Sequence, residues 1–348
     1  MPYILLAEWH PQEAVILAWP DSSTDWAPWL AEVRSVYKSL IKAINEARCA
    51  VILLIKPQDI PSAKTYLKEL ESVVLVSADY NDTWVRDYAF LTLSDGEKNR
   101  AVEFKFNGWG NKFDASKDNA VNQNFLASLL VHPVQAIPIV CEGGAIEIDG
   151  QGNLLSTSLC LLNPQRNGDT SKEDYAKIFS NFLGAKTNHF FEHGHLIGDD
   201  TDGHIDTLVR FTPDHGIVIQ TAFNRGDDPH FSGLENLKNE VEKAFPDHQI
   251  FTLPLPKILN EDGERLPASY ANFLICNDYL LCPVYQCEED EAALALLSQA
   301  FPRHTILDID CSVLIRQFGS LHCITMQVPV GTLKQTITQI FSSGVREL

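Results

Sequence analysis

A histidine and an aspartate stand two residues apart where an acidic loop becomes apolar, in Gly198-Asp-Asp-Thr-Asp-Gly-His-Ile-Asp-Thr-Leu-Val-Arg-Phe211. The apolar part is typical of a strand, which predicts that His204 and Asp206 project to the same face. A histidine beside a carboxylate at the mouth of a buried strand can transfer protons. Capping of a solvent-facing turn is the competing interpretation. The segment does not match the Ca²⁺-binding loop pattern, because Gly198 occupies the place of its first aspartate.

A thiol towards the other end of the chain is a second candidate for chemistry. Cys323 follows a Gly-Ser turn in Phe-Gly-Ser-Leu-His-Cys-Ile-Thr-Met-Gln, whereas the other cysteines are typical of core residues. A cysteine nucleophile needs a lowered pKa or an adjacent base. On a strand His322 would point to the opposite face, so His204 is the better partner. Zinc is the competing use, but neither Cys-x-x-Cys nor His-Glu-x-x-His spacing occurs.

Two more carboxylates lie in motifs that could form a site. Asp87, in Asn-Asp-Thr-Trp-Val-Arg-Asp-Tyr, could bind a planar cation by bidentate hydrogen bonding, with stacking on Trp84. An ion pair of Asp87 with Arg86 on the surface is the alternative. Glu142 precedes two glycines, so it either caps a turn or faces a site. The glycine spacing there matches neither a dinucleotide fingerprint nor a P-loop.

The predicted elements that must position these residues repeat in one order. Hairpins are predicted at 88–106, 145–158, 207–220 and 272–284, each followed by a helix and a strand. The helices are predicted near 119–130, 172–183, 233–244 and 288–300, and the strands near 134–140, 187–191, 250–253 and 305–309. Residues 14–55 supply strand, helix and strand, and a spare strand at 323–327 could complete this fifth unit.

Five such units, closed by pairing the two ends of the chain, would form a ring without exposed sheet edges. Two ordinary α+β domains are the alternative. In a ring, the residues at the start of each hairpin face a common axis. Those places hold Asp87, Glu142, His204 with Asp206, and Cys323. A thiol, a histidine and three carboxylates at equivalent places favour a reactive site over packing.

The overall composition limits the expected partners. The 348 residues carry a formal net charge of -19, which argues against nucleic acid and favours cationic ligands. Hydrophobic residues make up 45% of the chain, yet no apolar run is long enough to span a bilayer. The N-terminus lacks a basic signal-peptide region, and the cysteines are typical of reduced thiols. We therefore expect a cytoplasmic protein without a membrane partner; the sequence leaves a homodimer open.

Motifs along nearly the whole chain resemble those of the agmatine deiminases, in the guanidine-modifying pentein superfamily. They are Ala18-Trp-Pro20, Asn81-Asp-Thr-Trp-Val-Arg-Asp87, Phe106-Asn-Gly-Trp-Gly110, Glu142-Gly-Gly144, Leu159-Cys-Leu-Leu-Asn-Pro-Gln-Arg-Asn167, Gly198-Asp-Asp-Thr-Asp-Gly-His-Ile-Asp206, Leu266-Pro-Ala-Ser-Tyr-Ala-Asn-Phe273 and Gly319-Ser-Leu-His-Cys-Ile-Thr-Met-Gln327. Two segments depart from the family pattern. Asp87-Tyr-Ala-Phe replaces Asp-x-Gly-Pro, and Gly-Ser-Leu replaces Gly-Asn-Ile before His-Cys.

The resemblance implies an α/β fold, a five-fold pseudosymmetric propeller, with residues 1–348 as one catalytic domain. It implies a deiminase without cofactor or metal that acts on a small cationic guanidine, agmatine. By position, Cys323 would be the nucleophile, His204 the general acid and base, and Asp87 and Asp206 the carboxylates that hold the guanidinium.

The family resemblance also suggests where the rest of the substrate would bind. Trp84, Trp109 and Asp200 are candidates for lining its aliphatic chain and meeting its distal ammonium. Trp109 could equally be a core residue, and Glu142 could contact substrate or only shape the backbone. A deiminase of another guanidine such as arginine, an amidinotransferase and a non-catalytic polyamine binder remain alternatives.

Overall fold

The computed structural model describes residues 2–342 and 344–348. Over these residues the chain forms eighteen strands, many of them short and buried. In chain order they are β1 Ile4–Leu5, β2 Gln12–Ala18, β3 Ala50–Ile55, β4 Val73–Ser77, β5 Leu91–Ser94, β6 Asn99–Lys105, β7 Gln135–Val140, β8 Glu147–Ile148, β9 Asn153–Thr157, β10 Thr187–Phe191, β11 Val209–Phe211, β12 Gly216–Gln220, β13 Gln249–Leu253, β14 Leu274–Cys276, β15 Tyr279–Val284, β16 Thr305–Asp310, β17 Met326–Pro329 and β18 Val345–Glu347.

Longer helices connect strands, and single helical turns lie between them. The helices are α1 Leu30–Glu46, α2 Ile60–Tyr66, α3 Val85–Tyr88, α4 Gly108–Asn111, α5 Ser158–Leu161, α6 Pro164–Asn167, α7 Lys172–Leu183, α8 Phe231–Ala244, α9 Asp290–Ala300 and α10 Gln335–Thr338. Short 3₁₀ turns occur at Ala27–Trp29, Pro57–Asp59, Asp118–Ala120, Ala127–Leu129, Gly143–Ala145, Ile205–Thr207, Leu314–Gln317 and His322–Ile324, and a π turn at Asn122–Leu126. None of the helices in the described ranges is long and apolar enough to cross a membrane.

The strands form five separate sheets over the described part of the chain. In each sheet an antiparallel pair is extended by a parallel strand, as in β8–β9–β10, β11–β12–β13 and β14–β15–β16. The fourth sheet adds β1 to β5–β6–β7, and the fifth has the order β17-β2-β3-β4-β18. In the fifth, β17 pairs with β2 through Met326 and Ile16, which joins the two ends of the chain as predicted.

The hydrophobic pattern explains which faces are buried. Val33, Tyr37, Leu40, Ile41 and Ile44 of α1 recur at helical spacing and are all fully buried. Strand β3 is buried along its whole length, as expected for a strand that has parallel neighbours on both sides and a covering helix.

Most predicted elements are present, with small shifts at their ends. The helix predicted at 172–183 and the strand predicted near 187–191 have the predicted bounds. The helix predicted near 119–130 is present but irregular: residues 118–129 are helical without a break, as successive 3₁₀ and π turns. Asn119 accepts from the Phe106 N–H, and Asn122 accepts from the Phe90 N–H and donates to Tyr88. These side chains bind neighbouring backbone where a regular helix would leave them free.

A correction concerns the residues that could do chemistry. The sequence pattern placed His204, Asp206 and Cys323 on strands, but the structure does not. His204 begins and Asp206 lies within the 3₁₀ turn before β11, and Cys323 lies within the turn before β17. Asp87 likewise lies in α3, just before β5. Side chains two apart on a helical turn do not share one face, so the strand argument for pairing His204 with Asp206 does not apply.

Candidate active site

The helical turns that carry Asp87, His204, Asp206 and Cys323 surround a cavity of about 330 Å³. Its lining includes eight aspartates: Asp25, Asp82, Asp87, Asp114, Asp118, Asp199, Asp200 and Asp206. No Lys or Arg side chain belongs to the lining that the described residues form. A partly enclosed cavity with this excess of carboxylates favours a cationic ligand.

The structure brings most of the predicted site residues to this cavity. Its lining includes Asp87, His204, Asp206, Cys323, Trp84, Trp109 and Asp200. They come from turns that lie far apart in the chain. Glu142 does not belong to the lining, and its role as a substrate contact stays a prediction.

Asp87 is held by neutral hydrogen-bond donors. Its Oδ1 accepts from the Gly144 N–H at 2.9 Å, and its Oδ2 accepts from the Trp109 Nε1–H at 2.8 Å. Burial raises the pKa of Asp87 above its ordinary value, and the negative charge of Asp206 adds to this effect, while His204 opposes it. Asp87 is therefore a carboxylate whose ionisation depends on a nearby positive charge.

Asp206 is held by a histidine that the sequence reasoning did not assign to the site. Its Oδ2 lies 2.7 Å from His322 Nδ1, and the other ring nitrogen of His322 lies 2.6 Å from Glu8 Oε2. Burial alone would raise the pKa of Asp206, but the hydrogen bond and charge of His322, with the charges of His204 and Arg210, lower it. Its Oδ1 is buried and has no hydrogen-bond partner. Asp206 thus offers one free anionic oxygen.

A buried ion-pair network lies behind Asp206. Arg210 Nη2 is 3.0 Å from Glu8 Oε2, and Arg210 Nε is 3.1 Å from Glu147 Oε2. Arg86 lies 3.7 Å from the same Glu8 oxygen. Burial would raise the pKa of Glu8, but Arg210, His322 and Arg86 lower it well below its usual range. No local spacing predicts this network, since its members come from distant segments; Arg86 pairs with Glu8 rather than with Asp87.

His204, Asp87 and Asp206 approach one another beside Gly144. Its Nδ1 is 3.7 Å from Asp87 Oδ1, and its Nε2 is buried without a hydrogen-bond partner. Gly144 makes room for this arrangement: a Cβ there would lie 2.6 Å from His204 Nδ1, 2.9 Å from Asp87 Oδ1 and 3.1 Å from Asp206 Oδ2. Glycine at position 144 is therefore required by the close approach of three side chains to one backbone position.

Glu142 lies beside His204, and its carboxylate is occupied. Both of its oxygens accept from Arg166 Nε, at 2.8 and 3.0 Å, and Arg166 also binds Asp202. Donor atoms of Glu142, Cys160 and His204 lie within 4.8 Å of one another, the single group in the described chain that could hold a metal ion. A metal there would compete with the buried pair of Glu142 and Arg166, which does not favour metal binding.

Cys323 is the last of the predicted catalytic residues in the cavity lining. Its Sγ lies 3.4 Å from the Oδ1 of Asn272, a residue that the sequence reasoning did not assign to the site. Burial and the negative charges of Asp206 and Asp87 raise the pKa of the Cys323 thiol well above its ordinary value. The sulfur is therefore a neutral thiol in the ligand-free protein and needs a cation or a base to ionise.

Two tryptophans form the aromatic part of the cavity wall. Trp84 packs against Trp26 with ring centroids 5.7 Å apart, and a Cβ on Gly319 would lie 2.2 Å from the Trp84 ring. Trp109 has a left-handed backbone with φ of 55°, in a turn closed by the Asn107 side chain. This geometry aims the Trp109 indole N–H at Asp87, so the residue is more than a core anchor.

A second group of carboxylates lies in the rest of the cavity wall. Burial raises the pKa of Asp200 to about 6, and the nearby Asp199 adds to the shift. Burial likewise raises the pKa of Asp82 to about 6 and that of Asp118 to about 8. Several carboxylates in one wall repel one another, and a bound cation would relieve this repulsion.

Comparison with known proteins identifies the family. The family model described as Porphyromonas-type peptidyl-arginine deiminase matches residues 4–329. A Legionella pneumophila (strain Paris) protein that bears agmatine deiminase as a provisional name is 33% identical, with 94% of this chain and 95% of that protein covered. A Marinomonas sp. (strain MWYL1) protein with the same provisional name is 30% identical, and 93% of each chain is covered.

Solved structures give the same relationship. A cysteine-to-serine variant of C. jejuni agmatine deiminase with substrate bound has a TM-score of 0.89 and 34% identity, covering 96% of this chain and 98% of that one. An amidinotransferase from Microseira wollei, at 15% identity and a TM-score of 0.58, shares the fold alone. The chain therefore belongs to the Porphyromonas-type peptidyl-arginine deiminase family, within the pentein superfamily that also holds the agmatine deiminases.

Proposed function

We propose that this protein hydrolyses agmatine to N-carbamoylputrescine and ammonia through an amidino-cysteine intermediate. The observation that carries the proposal is the composition of the cavity, in which Cys323, His204, Asp87 and Asp206 meet among further carboxylates, with no Lys or Arg in the lining that the described residues form. The relatives that bear the agmatine deiminase name, one of them with substrate bound, support the choice of substrate.

Guanidinium binding would use the two central carboxylates. The free Oδ1 of Asp206 can accept an N–H from one edge of the planar cation, and Asp87 can accept from the other. Two buried carboxylates around a single guanidinium exchange mutual repulsion for attraction to the ligand. The cation would be held in a plane, with its carbon open to attack by Cys323.

The first chemical step would form the carbon–sulfur bond. A bound cation offsets the charges of Asp87 and Asp206, which otherwise raise the pKa of Cys323. The thiol proton passes to His204, and the sulfur attacks the guanidinium carbon. His204 then gives this proton to a terminal nitrogen, the carbon–nitrogen bond breaks, and ammonia leaves.

The second step would reverse the roles of acid and base. Water, activated by His204, attacks the carbon of the amidino-cysteine. A carbon–oxygen bond forms, the carbon–sulfur bond breaks, and the sulfur of Cys323 leaves as the thiolate. The sum of both steps converts guanidinium and water into a ureido group and ammonium.

Selectivity for agmatine would come from the rest of the cavity. Arginine carries an α-carboxylate that needs a basic partner, and the described lining has none. Asp200 can meet the distal ammonium of agmatine, while Trp84 and Trp109 line its aliphatic chain. These features favour agmatine over arginine.

The proposed architecture is a single domain in which the five sheets form the blades of a five-fold α/β propeller. Pairing of β17 with β2 supports ring closure, because it lets the two ends of the chain build one sheet. The turns that precede the first strand of each blade would then point to the axis, where the cavity lies.

The test is agmatine turnover by Cys323→Ala. Ammonia release should fall to the background level, because no other thiol would reach the guanidinium. The matched control is Cys287→Ala. Cys287 is partly exposed like Cys323 but does not line the cavity, so this variant should retain activity. Mass spectrometry after brief mixing of the unmodified protein with agmatine should detect an amidino group on Cys323. Substantial turnover by Cys323→Ala, or preferred turnover of arginine, would contradict the proposal.

A further inference from the structure

Asn272 occupies the place in its sheet that reactive residues occupy in others. It lies two residues before β14, in the segment that precedes the first strand of the β14–β15–β16 sheet. The corresponding segments before β5, β11 and β17 carry Asp87, Asp206 and Cys323. Asn272 also lines the cavity and is only 1% exposed. Its position therefore matches that of a site residue.

The two ends of the Asn272 side-chain amide have different surroundings. Oδ1 lies 3.0 Å from the His322 N–H and 3.4 Å from Cys323 Sγ, so it accepts from both. Nδ2 is buried and has no hydrogen-bond partner in the structure. An unpaired buried N–H₂ group carries a desolvation cost, and here it belongs to a side chain that touches the sulfur.

The observed amide orientation suits a thiol and opposes a thiolate. A carbonyl oxygen at this distance accepts the S–H proton, but it repels a sulfur anion once that proton is gone. A half-turn of the amide would put Nδ2 where Oδ1 lies, and its N–H would then donate to the anion. The His322 N–H keeps an acceptor after this rotation, because it also lies 3.2 Å from the backbone oxygen of Asn272. The rotation therefore gives the sulfur anion a charge-assisted hydrogen bond, while Oδ1 takes the unpaired position that Nδ2 held.

We propose that Asn272 is a further catalytic residue, whose side-chain amide accepts from the Cys323 thiol in the ligand-free protein and rotates to donate to the thiolate when the sulfur ionises. The proposal rests on the proposed function, since it assigns Cys323 as the nucleophile. It adds a donor that stabilises the attacking sulfur and the departing one in the second step. The guanidinium itself cannot use this donor, because it has no hydrogen-bond acceptor.

The experiment compares Asn272→Ala with Asn272→Ser. The ultraviolet absorbance of the thiolate is followed across the pH range, with the same variant in a Cys323→Ser background subtracted. A hydrogen bond to an anion is roughly twice as strong as one to a neutral group. Asn272→Ala loses both the contact with the thiol and the stronger contact with the thiolate, so the pKa of Cys323 should rise by about one pH unit. Asn272→Ser retains a hydroxyl that can donate, so it should recover part of this shift.

Steady-state kinetics give a second readout. Asn272→Ala should lower kcat for agmatine by about tenfold to a hundredfold with little change in KM, because the lost donor acts on the sulfur and not on the bound cation. Asn224→Ala is the matched control. Both ends of the Asn224 amide bind the backbone N–H and oxygen of Leu255, and Asn224 lies outside the cavity lining. The titration of the Cys323 thiolate should therefore be unchanged in Asn224→Ala.

The outcomes separate the two proposals. Identical thiolate titrations of the unmodified protein, Asn272→Ala and Asn272→Ser would overturn the role of Asn272, even if thermal stability fell. The titration needs no substrate, so a protein that fails to turn over agmatine still tests the contact between Asn272 and the sulfur. A titration shift without agmatine turnover would keep the Asn272 proposal and refute the proposed substrate.

Discussion

Asp87 and Asp206 have the same predicted role, yet the protein holds them in opposite ways. Asp87 accepts from two neutral donors, the Gly144 N–H and the Trp109 indole, and burial raises its pKa. Asp206 is bound to His322, whose other nitrogen meets Glu8, and the surrounding positive charges lower its pKa. The surroundings therefore favour the ionised form of Asp206 and disfavour the ionised form of Asp87.

This difference assigns distinct tasks within one binding site. In the proposed function, the Asp206 carboxylate would attract the guanidinium, and its single free oxygen would fix the direction of approach. A bound cation would lower the raised pKa of Asp87, which would couple the charge of this carboxylate to binding. Keeping one of the two carboxylates easily neutralised also limits the repulsion that the empty cavity must tolerate.

The largest effect is expected for Asp206→Asn. Removal of one partner from a buried charged contact costs about 3–5 kcal/mol, which corresponds to about two to four orders of magnitude in kcat/KM for agmatine. Asp228→Asn is the control, because Asp228 forms a similar buried contact with His230 at 2.6 Å but does not line the cavity. Comparable activity of the two variants would show that Asp206 is not the anchoring anion.

Gly144→Ala should act on both carboxylates at once. The new Cβ would lie 2.6 Å from His204 Nδ1 and 2.9 Å from Asp87 Oδ1, so these groups must move. A displacement of about 1 Å in a reacting group can lower the rate about a hundredfold. Activity and circular dichroism should be measured beside Gly150→Ala, whose Cβ would meet nothing within 4 Å. Normal kcat/KM in Gly144→Ala would contradict the close packing around the site.

Asp87→Asn should cost less than Asp206→Asn. The amide still accepts from Gly144, but its N–H₂ group would face the Trp109 N–H, and a loss of about 1.5–3 kcal/mol is expected for a hydrogen bond to a charged group. Because the pKa of Asp87 is raised, kcat/KM should fall as the pH decreases through that pKa, while Asp206 stays ionised. A pH profile should show this acid limb in the unmodified protein and its loss in Asp87→Asn. An unchanged limb would assign it to another group.

Asp200→Asn should have the smallest effect. Asp200 is partly exposed, and an exposed ion pair contributes about 0.2–1 kcal/mol, so KM for agmatine should rise only severalfold. Burial raises its pKa to about 6, so the difference between the variant and the unmodified protein should disappear as the pH falls below that value. Butylguanidine, which lacks the distal ammonium, should react equally with both proteins. If Asp200→Asn slowed the turnover of agmatine and of butylguanidine equally, the distal ammonium of agmatine would not lie at Asp200.

The fold could be predicted largely from local patterns. Alternating and continuous apolar runs indicated the strands, and helical spacing indicated α1 and α7, because each pattern depends on neighbouring residues. The helix at 119–130 shows the limit of such patterns, because its position was predicted but its 3₁₀ and π turns were not. In the sequence, nothing about Asn119 and Asn122 indicates an irregular helix. Their side chains bind the backbone of Phe106 and Phe90, which comes near only when the chain folds.

The site was predicted as a set of residues but not as a geometry. The motifs indicated His204, Asp206 and Cys323, yet their placement on strands was wrong. That error gave His322 no role in the site, although its ring contacts Asp206. The contact of Asn272 with Cys323 was missed because 51 residues separate the two in the chain, so no local pattern links them.

The sequence by itself determined the types and order of the elements and the excess of carboxylate over basic residues. It also placed a thiol, a histidine and the acidic residues at comparable places in the repeated units. Only the tertiary structure decided that Asp206 meets His322 while Asp87 meets Trp109. A pKa depends on burial and on the charges within a few ångströms, and in this chain those neighbours come from segments that are distant in sequence.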